Sequence, residues 1–472
     1  MKARNKKRFP IIIALCAVLI VGLACAPLSL IFGEDDPDLP ISDNAEKPSV
    51  VKQEASEEVK PSQPSPEVKK SETIVAPTAT TIPNVKKVEL GKIGFGQNDT
   101  TVGYGFMLKN PNPDLGIAYS EYQIAAYNAS DVVIATQTGY IDLLLPGQEL
   151  GIGNELYLDA GKIVSRIEIQ VNEGTPVITD ITAGLTARNA VYQPDPYSSK
   201  VLGEVVNPFE KDLQSFKVSA LLFDAQDNII GGGNTYASFV PANGFTGVKS
   251  YVSSSGVIAR VELYPIMLDE AFLNAAEPLP EDAESLVVLD QGFGVGDYFT
   301  SYAFKVKNPN SQYSLLNSFY RVLAYNAEKQ LVDISEGYLS AILPEAIVGV
   351  SGDFYMPEGT MIDSVLVQIL HGEFINAGPL PDFTTEAVMI DTSGYSPKVT
   401  GIVVNPFNVQ VSNLYVYAVL FDANEKIIGG GFNYLEFIPA DARAEFQIDV
   451  SYGGSASRVE VYVLLSDLNE IQ

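Results

Sequence analysis

Alternation of apolar and polar positions marks the chain as built from strands. In Phe216–Phe223, Phe216, Val218, Ala220 and Leu222 fall on one face. Lys217 and Ser219 open the other face, which turns apolar at Leu221 and Phe223. Successive side chains of a strand point to opposite faces, so this pattern predicts a half-buried sheet. Arg166-Ile167-Glu168-Ile169-Gln170-Val171 and Arg458-Val459-Glu460-Val461 alternate still more cleanly. Asn-Pro pairs, Asp- and Asn-containing turns and Gly-Gly-Gly runs punctuate these segments at short spacing, a rhythm that favours β-sandwiches over α/β units. One short connecting helix is expected at Asp269–Ala276.

The pattern occurs twice, 198 residues apart. Gly94-Phe95-Gly96 returns as Gly292-Phe293-Gly294, Asn110-Pro111-Asn112 as Asn308-Pro309-Asn310, and Phe223-Asp224-Ala225 as Phe421-Asp422-Ala423. Within each half an older repeat aligns Asn110-Pro111 with Asn207-Pro208, Tyr127-Asn128-Ala129 with Phe223-Asp224-Ala225, and Arg166-Ile167-Glu168 with Arg260-Val261-Glu262. Between Val201–Gly233 and Val399–Gly431, 18 of 33 positions are identical, so the pair was duplicated as a unit. The order is A-B-A-B, each module of about 95 residues, a usual domain size. That period is too long for a solenoid and predicts beads, each with a core of its own. The expected fold is all-β: four tandem immunoglobulin-like sandwiches, A1 (85–174), B1 (175–282), A2 (283–378) and B2 (379–472). An N-terminal anchor (1–33) and a disordered stalk (34–84) precede them.

Leu221-Leu222-Phe223-Asp224-Ala225 followed by Ile229-Ile230-Gly231, and Val419-Leu420-Phe421-Asp422-Ala423 followed by Ile427-Ile428-Gly429, resemble the FxLYD family of bacterial extracytoplasmic domains. There a strand ends in an aromatic–Asp pair, turns, and resumes with two apolar residues and a glycine. The likeness covers the B modules. In the A modules Tyr127-Asn128 and Tyr325-Asn326 replace the aromatic–Asp pair, and the family's first Phe is Ala220, Ala418, Ile124 and Val322 here. The resemblance implies a small Ig-like fold on an envelope protein and brings no catalytic residues.

Lys2, Arg4, Lys6, Lys7 and Arg8 precede an uncharged run from Pro10 to Gly33, 24 residues long. About 20 residues span a hydrocarbon core, and the basic flank keeps its side cytoplasmic. Three fates compete: an uncleaved single-pass anchor, lipidation at Cys25, and plain cleavage at Ala24-Cys25-Ala26. Gly22-Leu23-Ala24-Cys25 resembles a bacterial lipobox with its Leu two residues before the Cys instead of three. The expected location is the cell membrane, with the bulk of the chain outside. Residues 34–84 are rich in Pro, Glu, Lys, Ser and Thr, too poor in large apolar groups to repay ordering. Both cysteines, Cys16 and Cys25, lie in the apolar segment, so the modules hold no thiol chemistry. With 30 basic and 58 acidic residues the net charge is −28, which disfavours nucleic acid and anionic membranes as partners of the modules.

Candidate chemistry is sparse. The single histidine, His371, sits beside Gly372 at a strand end and reads as a loop residue. Asp224, Asp227 and Asn228, with Asp422, Asn424 and Glu425, carry the oxygens a Ca²⁺ site wants. The same residues are the usual formers of a hairpin turn, and turn chemistry is the stronger reading. Gly231–Gly233 and Gly429–Gly431 are followed by strand-like segments instead of a helix, which points to a bulge or close backbone approach over a phosphate loop. The recurrent Asn-Pro pairs read as strand terminators. Neither cofactor nor metal is expected.

Aromatics are the one hint of binding: 24 Tyr and 22 Phe without Trp, with Tyr298, Phe299, Tyr302, Tyr313, Phe319 and Tyr320 clustered in A2. The lack of Trp counts against a glycan ligand. The expected function is a non-enzymatic surface protein whose tandem modules bind an extracellular protein or polysaccharide, besides the bacterial membrane through the anchor. A carboxylate-based hydrolase at a module junction and a purely structural spacer are the rivals.

Overall fold

The computed structural model describes residues 85–468, apart from 182, 268–278, 297–298, 357–358, 378–379 and 394–395. The expected anchor with Cys25, the stalk and the expected helix at Asp269–Ala276 lie outside the described residues.

The described chain is all-β, with antiparallel sheets arranged as repeated sheet pairs, consistent with tandem β-sandwich modules. In A1, β1 (Glu89–Asn98), β2 (Thr101–Lys109) and β5 (Glu149–Tyr157) form one sheet. The other holds β4 (Val133–Leu144), β3 (Gly116–Tyr127) and β6 (Arg166–Val171), with β7 (Thr175–Val177) also paired to β3. In B1, β8 (Thr186–Gln193), β9 (Lys200–Val206) and β12 (Phe245–Tyr251) form a three-stranded sheet. Its partner sheet runs β13 (Ser253–Ser254), β11 (Ile229–Val240), β10 (Leu213–Phe223), β14 (Arg260–Ile266).

The second half repeats this plan. A2 has β15 (Val287–Val295), β16 (Thr300–Lys307) and β19 (Ile347–Phe354) opposite β17 (Tyr313–Tyr325), β18 (Leu331–Ile342), β20 (Ser364–Leu370) and β21 (Glu373–Asn376). B2 has β22 (Thr384–Asp391), β23 (Lys398–Val404) and β26 (Arg443–Asp449) opposite β24 (Val411–Phe421), β25 (Ile427–Ile438), β27 (Ser451–Tyr452) and β28 (Arg458–Leu464). Phe223 and Phe421 end the equivalent inner strands β10 and β24, and Leu222 and Leu420 face the cores.

Each module is stapled by the asparagine of its Asn-Pro pair. Asn110 is buried; its Nδ2 donates to the carbonyls of Leu115 (2.7 Å) and Leu145 (2.9 Å), and its Oδ1 accepts from the Asn112 amide (3.0 Å). Asn207, Asn308 and Asn405 bind the corresponding carbonyls. These residues do terminate strands. They also tie two chain segments together from inside, which a proline-based reading does not capture.

The cores are not separate, as beads would require. Ala118, Leu143 and Leu145 of A1 share a cluster with Leu213, Phe216, Val218 and Leu222 of B1, and Ile266 of B1 joins the A1 core. In the second half one cluster runs from Tyr302 to Leu468. The described modules belong to one compact unit.

Candidate binding surface

The signature hairpin recurs four times, its turn held by an Asp side chain in the B modules and an Asn side chain in the A modules. In B1 the Asp224 carboxylate accepts the backbone N–H groups of Gln226 (2.9 Å) and Asn228 (2.8 Å), and Asp227 adopts a left-handed φ of 64°. In B2, Asp422 accepts from Asn424 and Lys426, and Glu425 has φ 63°. This is a turn closed by a residue in αL, which Asp and Asn tolerate best. Hydrogen bonds from the Asn228 side chain and amide hold the Asp224 carboxyl below its ordinary range. Asp227 is lowered by Lys92 and Arg260. The oxygens proposed for Ca²⁺ are thus committed to the turn and to cations, and among the described residues no cluster of three metal-ligating side chains forms.

An arginine lies across the aromatic residue ahead of three of these turns. Arg166 stacks on Tyr127 (3.7 Å to the ring centroid), Arg260 on Phe223 (3.8 Å) and Arg458 on Phe421 (3.9 Å). Each also pairs with the αL acid of its turn and with the glutamate two residues on. In A2 the arginine position is Ser364, for a reason that lies in the neighbouring module.

Within each half, A and B dock sheet on sheet. A Cβ at Gly94 would strike the Ile229 carbonyl, at Gly103 that of Ser253, at Gly153 that of Ala220, and at Gly232 that of Tyr104. Missing side chains therefore let the two backbones approach closely. The outer face of β10 turns apolar because Leu221 and Phe223 pack there with Ile229 and Met107. Gly231–Gly233 do line a bulge, at the register shift between Leu222 and Phe223, as well as a close approach. In the second half Ser301 and Ser351 replace Gly103 and Gly153, and their hydroxyls donate to the carbonyls of Ser451 and Gly431.

The B1–A2 joint is built differently, from buried charge. Arg321, 1% exposed, pairs with Glu336 and donates to the Phe239 carbonyl (3.3 Å), Thr246 Oγ1 (2.6 Å) and the Gly247 carbonyl (3.2 Å). Asp333, also 1% exposed, accepts from Lys249 (3.0 Å) and lies 3.7 Å from Lys200. Burial lowers the Lys200 pKa, with Asp333 pulling the other way. Glu204 accepts from Arg188 (2.7 Å), Asn189 (3.1 Å) and the Tyr325 hydroxyl (2.9 Å). In A2, therefore, Tyr325 packs with B1's Leu202 and donates its hydroxyl to B1's Glu204 where the other modules carry an arginine over the ring. Around these charges pack Leu202, Leu323, Tyr325, Leu331 and Ile334, and separately Phe239, Phe319 and Leu370.

The A2 aromatic cluster mostly disappears into cores and this joint. Tyr302, Phe319 and Tyr320 are buried, Tyr313 is half-buried, Phe299 is exposed, and Tyr298 lies outside the described residues. His371 follows β20 and packs near Phe374, ring centroids 5.5 Å apart. Nine tyrosines among the described residues are more than half exposed: Tyr119, Tyr140, Tyr355 and Tyr434 stand apart, while Tyr157, Tyr197, Tyr236, Tyr251 and Tyr338 lie at module junctions. The junction five border three hollows. One, of about 470 Å³ at the A1–B1 junction, is bordered by Tyr157, Tyr197 and Tyr251. The second, about 360 Å³ at the B1–A2 joint, lies between Tyr236, Tyr251, Arg321 and Glu336. The third, about 540 Å³, has Tyr236 and Tyr338 on its rim and Phe319 and Leu370 among its lining. Composition could not separate these five from the core aromatics. For four of them a strand position on the solvent side of β5, β11, β12 or β18 is the signal that does so; Tyr197 lies in the β8–β9 loop.

No protein-family model matches the chain, and no curated protein does either.

Proposed function

We propose that this chain is a non-enzymatic, membrane-anchored bacterial surface protein whose tandem Ig-like modules bind an extracellular protein or envelope polymer. The observation that carries the binding reading is the set of exposed tyrosines at module junctions, beside hollows large enough for a ligand. The basic-then-apolar leader and the Pro-rich segment 34–84 support a tethered, outward-facing position. The FxLYD-like strand–turn–strand residues of the B modules support an extracytoplasmic family. Lipidation at Cys25 and an uncleaved spanning helix remain the two anchoring routes.

Protease treatment of intact cells, followed by carbonate washing of membranes, tests this reading. The expected result is a chain that is digested from outside and whose N-terminal fragment stays with the washed membranes. Protection in intact cells, or release by carbonate, contradicts it. A Cys25→Ala variant that loses fatty-acid labelling and membrane retention assigns the anchor to lipid; unchanged retention assigns it to the helix.

A further inference from the structure

The three hollows are one track. Tyr251 borders both the A1–B1 hollow and the first hollow of the B1–A2 joint, and Tyr236 borders both hollows of that joint. Tyr251 ends β12 and Tyr236 lies on β11, strands of the two opposing B1 sheets, so the track follows one edge of that sandwich from A1 to A2. Exposed rings recur along it: Tyr157 and Tyr197, then Tyr251, then Tyr236, then Tyr338.

Resting on the surface-binding reading above, we propose that this track binds a linear, neutral polysaccharide. Three observations select that chemistry. Aromatic rings offer flat apolar faces with a polar edge, suited to the C–H faces of pyranose rings. Between them the walls present hydroxyls, amides and carboxylates, including Asn98, Thr100, Thr235, Ser238 and Asn317, which match sugar hydroxyls. The charges along the joint are already paired, Arg321 with Glu336 and Lys249 with Asp333, and the chain carries −28 overall, so an anionic polymer finds no free cationic row. Tyrosine alone gives weak single contacts, and several platforms in line on one polymer multiply them. The second half repeats the track only in part: Tyr157 and Tyr236 return as the exposed Tyr355 and Tyr434, but Tyr251, the ring that links two of the hollows, is Asp449 there.

Affinity electrophoresis of the full-length chain in mild detergent tests this, using native gels containing hydroxyethylcellulose, mixed-linkage β-glucan, galactomannan or, as the anionic control, polygalacturonate. At least one neutral polysaccharide is expected to retard the chain. A Tyr236→Ala/Tyr251→Ala variant with an unchanged melting midpoint should weaken binding about tenfold, while Tyr236→Phe/Tyr251→Phe keeps it, because stacking needs the ring and not the hydroxyl. Mobility unchanged in every neutral gel, retardation indifferent to the alanine pair, or retention by polygalacturonate alone overturns the proposal. Cell-surface exposure is read separately: exposure without polysaccharide binding removes the track and leaves the location, and the reverse removes the location and leaves the track.

Discussion

The outer face of the β4-β3-β6 sheet in A1 and that of β18-β17-β20 in A2 are the same strands 198 residues apart, yet among the described residues only the second receives a neighbouring module. Where A2 has Phe319, Arg321, Leu323, Asp333 and Glu336, A1 has Glu121, Gln123, Ala125, Ala135 and Thr138. Gln123 is exposed and Arg321 is buried. The B modules diverged to match. Lys249, Glu204 and Leu202, which meet A2, correspond to Gln447, Ile402 and Thr400 in B2. Duplication supplied two equal halves, and a few substitutions on two facing sheets joined them. An apolar patch alone could slide. A one-residue shift here would orphan Arg321 and leave Asp333 away from its lysines, which is costly in a buried site.

The comparison is broken most strongly at Arg321. Arg321→Ala should destabilise the chain by about 2–4 kcal/mol, since it leaves three acceptors at the joint without their donor and opens a cavity there, while the half-exposed Glu336 is resolvated. Gln123→Ala, its A1 counterpart, should stay within about 0.5 kcal/mol. Denaturant titration of both variants reads the difference; equal effects would mean the joint contributes nothing special.

Removing Asp333 leaves Lys200 and Lys249 facing each other without their shared counterion. Asp333→Ala should cost about 3 kcal/mol at neutral pH. The loss should shrink at alkaline pH, because burial has lowered the Lys200 pKa and the folded state sheds that proton before the unfolded chain does. Urea midpoints measured from pH 7 upward check the trend, and a pH-independent loss would refute it.

A smaller effect is read at Tyr325, buried in the joint, whereas its A1 counterpart Tyr127 meets Glu168 at the surface. Burial, and then the Glu204 carboxylate, push the Tyr325 hydroxyl well above the ordinary tyrosine range. Above about pH 10 the unfolded chain loses this proton while the folded chain keeps it. The unfolded state then binds fewer protons, and stability falls by up to about 1.4 kcal/mol per pH unit from this group. Tyr325→Phe should cost about 1.5 kcal/mol at neutral pH through the lost bond to Glu204, and should flatten that alkaline slope. An unaltered slope would show that Tyr325 is not the group held protonated.

Much of the fold was legible because sandwich strands announce themselves. Alternation placed Phe216, Val218, Ala220 and Leu222 on the core face, and the Asp224 and Asp422 turns have the geometry their residue types favour. The joint was not legible in the same way. Alternation says that one face is covered by its own module and is silent on what covers the other, so it gave Arg321 and Glu204 no role. The usable signal was the difference between copies. Substitutions that break the 198-residue repeat gather on facing strands, and reading the repeat only for its identities passes over them. The tyrosine track was hidden for a related reason: it draws on A1, B1 and A2, and exists only once those modules touch.

Scanning calorimetry of the full chain beside the Arg321→Ala/Asp333→Ala double variant tests the central claim, that the two duplicated halves are fused into one cooperative body by the charged B1–A2 joint. The account predicts one endotherm for the parent and two for the variant, the halves melting separately once the joint is cut. Two endotherms already present in the parent and unmoved in the variant would contradict it.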